Sequence, residues 1–158
     1  MFTLKDETII YATPKAIFDY LTNVDTLYKS WHPRDHIFFR ALKGDLKTEG
    51  SIVHFLEWLG RFPLYGVARI SKIESDRYIE YELPYPFSRL KLGKAGFRIE
   101  PLNDAETKLT AHVAVETNGW TGRIIDAIIF LLIPRRIMEK HIREEGENVK
   151  TNTQSIQA

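Results

Sequence analysis

None of the 158 residues is a cysteine, which excludes disulfides, thiol catalysis and thiolate metal sites. Blocks of like charge are missing too. Lys and Arg number 22 against 21 Asp and Glu, and a formal net charge of +1 argues against a general nucleic-acid binder. Long apolar runs are also absent. The most hydrophobic stretch, IIDAIIFLLIP at 124–134, is about half the ~20 residues that cross a bilayer, and Asp126 interrupts it. A buried helix is expected there, not a membrane span. The opening MFTLKDETIIYATP lacks the basic start and long apolar stretch of a signal peptide. Together with the missing cysteines this makes a cytoplasmic location the expectation. Without repeats, low-complexity tracts or linkers, the expected organisation is one domain over 1–150 and a flexible tail over 151–158.

What is present is an ordinary globular composition, 44% apolar and 27% charged, with a generous 12% of aromatics. TLKDETIIY at 3–11 reads as a first strand. Thr13-Pro14 then supplies an N-cap followed by proline at the first helical position, and a second short helix carries Leu27 and Tyr28 until Pro33 stops it near Trp31. Strands are expected at 36–44, 51–59, 63–74, 77–84, 89–101 and 106–117, separated by turn chemistry such as Ser75-Asp76 and Asn103-Asp104. From Thr121 to about Asn148 the chain can be one long helix, with a kink expected at Pro134. The class is α+β, a mainly antiparallel sheet with the long helix covering its apolar face. This element order resembles the helix-grip fold of the START and Bet v 1-like superfamily, a curved antiparallel sheet wrapped around a C-terminal helix. The resemblance implies a deep cavity between the two.

The C-terminal helix carries the first chemical signal. At 100° per residue, Phe130, Pro134, Ile137, His141, Glu145 and Asn148 fall on one stripe, with Arg136, Lys140, Arg143 and Glu147 mostly opposite. The apolar face therefore runs into His141 and Glu145. The plain reading is a stripe that turns polar as the helix leaves the sheet; the sharper one is a polar pair aimed into a cavity. A metal centre needs further ligands from other elements. His36 opens a strand, and Glu57 is a carboxylate inside an apolar one. In a 36–43/51–59 hairpin the two stand nearly opposite, within one or two residues of register. Two imidazoles and two carboxylates suit Zn²⁺, with Fe²⁺ or Mn²⁺ as alternatives. His32 replaces His36 if the latter fails, and Asp35 or Asp126 could accept from imidazole N–H groups. His54 is expected outside. His112 is a strand histidine that contacts substrate only if its face lines the cavity.

YKSWHPRDH at 28–36, the strand bearing Glu57 and the terminal HIREE at 141–145 together resemble the diacetylphloroglucinol hydrolase family. The resemblance implies a zinc ion held by His36, Glu57, His141 and Glu145, and Tyr28 as a polar contact to substrate. It also implies hydrolysis of a carbon–carbon bond between an acyl group and a polyhydroxylated ring, with Tyr28 able to protonate the leaving ring. The strand aromatics, Trp58 among them, would suit a small aromatic or polyketide-like substrate. The alternative is a metal-free carrier of a lipid, sterol or polyketide, in which His141 and Glu145 orient the ligand. A lesser reading takes IIFLLIPRR as a membrane-surface helix. A homodimer is left open.

Overall fold

The computed structural model describes residues 2–85, 93–115, 120, 124 and 133–157. The elements, in chain order, are β1 (Phe2–Ile10), α1 (Pro14–Thr22), α2 (Val24–Trp31), β2 (His36–Lys43), β3 (Ile52–Leu59), β4 (Phe62–Glu74), β5 (Tyr78–Tyr85), β6 (Lys94–Pro101), β7 (Thr107–Val115) and α3 (Arg135–Gln157). The strands form one antiparallel sheet in the order β1-β7-β6-β5-β4-β3-β2. The two ends of the order come from the first two strands of the chain, so the sheet closes around α3 with β2 at one edge and β1 at the other.

Local sequence explains the elements. The Thr13 side chain accepts from the Ala16 N–H and Pro14 sits in the first turn, which starts α1. In α2, Val24, Tyr28 and Trp31 recur at helical spacing and are buried. The strands alternate: Leu4, Thr8 and Ile10 of β1 are buried, as are Val53, Phe55 and Leu59 of β3. These inward faces, with Ile70, Ile79, Phe97, Ile99 and Leu109, make the core against which α3 lies.

Three expectations change. The helix continues to Gln157 where a flexible tail from 151 was expected. Its buried stripe carries on through Val149 and Thr153, the Thr153 hydroxyl donates to the Val149 carbonyl, and Asn152 donates to the Ser30 carbonyl. Pro134 does not kink the helix but precedes it, and its carbonyl accepts from the Ile137 N–H. Among the described residues α3 therefore begins at Arg135. The stretches expected as helix over 121–123 and 125–132 and as strand over 89–92 and 116–117 lie outside the described residues, as do most of IIFLLIPRR, with its membrane-surface reading, and Asp126.

The close approach of α3 to the sheet rests on Gly146. A Cβ there would meet the buried Thr8 Oγ1 at 2.6 Å and Asp6 Oδ2 at 3.5 Å. Thr8 is β-branched and held in the β1–β7 ladder, so it cannot swing aside cheaply. Gly146→Val is expected to destabilise the fold by about 1–3 kcal/mol, measured as a lower urea midpoint with an unchanged m-value.

Candidate metal centre and cavity

Four side chains from three segments meet on the inner face. His36 opens β2, Glu57 sits opposite it in β3 at the register His36↔Glu57, and α3 brings His141 and Glu145 one turn apart on its inner stripe. His36 Nε2 lies 3.1 Å from Glu145 Oε1, 3.2 Å from His141 Nε2 and 3.4 Å from Glu57 Oε2. His141 Nε2 to Glu145 Oε1 is wider at 4.0 Å. His36 and His141 are buried, and the Glu57 and Glu145 side chains are about 15% exposed.

The tautomer of His36 makes this arrangement informative. Its Nδ1 stands 3.0 Å from the Tyr28 carbonyl, which can only accept, so Nδ1 carries the hydrogen. In the neutral ring Nε2 is then a bare lone pair facing two carboxylate oxygens and a second imidazole nitrogen. One proton on Nε2 would satisfy one of these three neighbours at a time, whereas a cation in their midst satisfies all of them. Tetrahedral sites with bonds of ~2.0–2.2 Å have donor–donor edges of about 3.3–3.6 Å. The three edges at His36 fall close to that. The ligand atoms of His36, His141 and Glu145 lie within 4.8 Å of one another and fit a divalent cation, with Glu57 at the margin of the set, 3.4 Å from His36.

Electrostatics show the same opposition. Burial pushes the His36 imidazolium down, and the Glu145 and Glu57 carboxylates outweigh it, so its pKa is raised overall. Burial raises the carboxyl of Glu57 despite His36 and His141, while for Glu145 the hydrogen bond and charge of His36 overcome burial and lower it. Tyr28 stacks on the His36 ring at 3.9 Å and its hydroxyl donates to Glu57. Burial first, then Glu57, holds the phenol well above its ordinary range.

An apolar cavity of about 390 Å³ adjoins this group, within the size range of small-molecule sites. Tyr28, Phe39, Phe55, Tyr81 and Met138 are among its walls, and Glu57, His141 and Glu145 form its polar end. The expected substrate contacts fare unequally. Tyr28 borders the cavity. Trp58 does not: it is 40% exposed, because alternation along β3 sends it to the face opposite Glu57. His112 borders the cavity, but its ring is stacked on Tyr78 with Nε2 3.4 Å from the phenol oxygen, on the side of the sheet where Arg98 covers Tyr78. Ala111 takes the inward position beside it. His54, as expected, is outside, 3.3 Å from the Tyr65 hydroxyl.

His32 is not part of the four-donor group. It stacks on His141 at 4.5 Å and its Nε2 donates to Glu144 at 2.9 Å. Asp35 Oδ2 stands 3.6 Å from His141 Nδ1 and from His32 Nδ1, too far for a hydrogen bond to either. Sequence reasoning missed the residues that lock α3 to the end of α2: Asn148 donates to the Trp31 carbonyl at 2.8 Å, beside Asn152 on Ser30. Their spacing of four, in line with His141 and Glu145, was the available signal.

No protein-family model matches the sequence, and no curated protein matches it either. Solved structures do match in fold. The Zhui aromatase/cyclase from Streptomyces sp. R1128 superposes with a TM-score of 0.72 at 12% identity, over 99% of this chain and 96% of that one. A START superfamily protein from Mycobacterium smegmatis gives 0.69 at 11% identity, over 98% of both chains. A norcoclaurine synthase from Thalictrum flavum gives 0.70 at 10% identity, over 99% and 96%. At such identities the likeness is one of fold alone: the chain has the helix-grip fold of the START and Bet v 1-like proteins.

Proposed function

We propose that His36, Glu57, His141 and Glu145 hold a divalent cation, zinc before iron or manganese, and that the protein is a metal-dependent hydrolase. Its substrate would be an acylated phenol or β-diketone-like molecule, cleaved at a carbon–carbon bond as in the diacetylphloroglucinol hydrolase family. The observation carrying this is the His36 Nε2 lone pair with three donor atoms at 3.1–3.4 Å. A cation bound there supplies Lewis acidity toward a carbonyl and an acidified water.

The chain's own residues account for the rest. The Tyr28 carbonyl fixes the His36 tautomer, so that Nε2 faces the other donors. The apolar walls would exclude bulk water and seat a planar ring, leaving only the polar end for a carbonyl group. In the cleavage, water delivers its oxygen to the acyl carbon, which leaves as a carboxylic acid, and the ring carbon takes up a proton. The Tyr28 hydroxyl, held by Glu57 at the cavity wall, is the acid placed to give that proton.

A second reading is favoured by the apolar cavity itself, and by neighbours that include an aromatase/cyclase and a START protein. In it the protein binds a polyketide-like or lipid molecule without hydrolysing it. Elemental analysis of tag-free protein separates the two. The hydrolase reading expects near one equivalent of metal per chain, and acid release from acyl phenols or β-diketones that stops in Tyr28→Phe and in metal-stripped protein. Protein that takes up no zinc after incubation would leave only the binding reading.

A further inference from the structure

A second concavity, open to solvent and about 780 Å³, lies on the other side of His141, which lines both. Its rim is basic. Arg34 comes from the α2–β2 loop, Arg61 from the β3–β4 turn, and Arg136, Lys140 and Arg143 from the exposed face of α3. Gly60, at φ +66°, makes the turn that sets the hairpin tip against Ile137, and so presents Arg61 beside α3. Arg34, Arg61 and Arg136 have no ion pair or hydrogen-bond partner among the described residues.

Three acids share the cleft with these five basic side chains: Glu144, which holds His32 and lies 3.5 Å from Lys140, Asp35, which faces the two histidine rings, and Glu147. With a net charge of only +1 for the whole chain, this concentration of cations is local. It also costs stability, because α3 opens with Arg135 and Arg136 and has no acid in its first turn, against its macrodipole. Unpaired guanidinium groups on concave walls focus positive potential and match carboxylate or phosphate geometry.

We propose that this cleft holds the anionic end of an amphipathic ligand, a carboxylate or a phosphate monoester, whose apolar body occupies the cavity behind His141. This deepens the cavity-site reading above and rests on it. The test follows N-phenyl-1-naphthylamine, a neutral fluorescent probe, in the cavity of the as-purified protein and displaces it with decanoate, decyl phosphate or decanol. At least one anion is expected to compete roughly tenfold better than decanol, the worth of one charge-assisted contact. The exposed double variant Arg61→Glu/Arg136→Glu should lose that advantage while decanol stays within about twofold. The better of the two anions identifies the head group. Equal competition by all three, or an advantage that survives in the double variant, overturns the anion site and leaves the cavity reading standing. Failure of the probe to bind the parent protein overturns both.

Discussion

Zinc-loaded protein is expected to unfold roughly 8–16 °C above protein stripped with a chelator, for free metal at about 1,000 times its Kd, where linkage adds about 4 kcal/mol and each kcal/mol moves Tm by about 2–4 °C at this chain length. The physical reason lies in what folding does to the four donors. It brings two imidazole nitrogens and two carboxylates to within a few ångströms in a place largely closed to water. Without a cation, the desolvation of the carboxylates and the clash of lone pairs are opposed only by whatever protons the group can share. A cation turns the same contacts favourable, so its binding free energy becomes folding free energy. Thermal melts followed by circular dichroism, with and without chelator, measure the difference. Coincident melts would mean that the cluster is satisfied by protons alone, and the metal reading would fail.

His36→Ala is expected to weaken metal binding by more than about 100-fold, since the outer partners of metal-binding histidines alone are commonly worth 10–100-fold. His36 Nε2 lies within 3.4 Å of a donor atom on each of the other three residues. Removing that ring leaves the 4.0 Å pair of His141 and Glu145 on one helix and Glu57, held by Tyr28, on the sheet. It also removes the ring on which Tyr28 stacks, so the melts described above serve as the control for folding. In this variant zinc should no longer raise Tm. A variant that keeps one equivalent of tightly held zinc would show that the cation sits elsewhere. His32, stacked on His141, would then be the first place to look.

Much of this site could be read in the sequence because each part lies on a regular element. Period-two alternation put Glu57 on the same face as Val53 and Phe55, and the 3.6-residue period put His141 and Glu145 on the stripe that also carries Ile137. The short 36–59 hairpin made the opposition of His36 and Glu57 a matter of counting, and the structure has that register. Where alternation was set aside, the reading went astray at Trp58, which follows Glu57 and must point the other way. His112, between inward neighbours Ala111 and Val113, still borders the cavity. The end of α3 was misjudged because Thr151–Gln157 is polar, and a stripe kept by one valine and one threonine is faint in sequence. The arginine-rimmed cleft could not be read at all. Its members come from a loop, a hairpin tip and a helix, and no local pattern links them before the chain folds.

The division of the donors between the two ends of the chain has a consequence for synthesis. His36 and His141 are 105 residues apart, so at about 5–20 residues per second the ribosome releases the first histidine roughly 5–20 s before the second. During that interval only His36 and Glu57 of the four proposed donors have been made. The remaining donors arrive with α3, and docking of that helix against the sheet completes the group. Assembly of the proposed metal site therefore waits for α3, and a product terminated ahead of Arg135 would lack half of the donors.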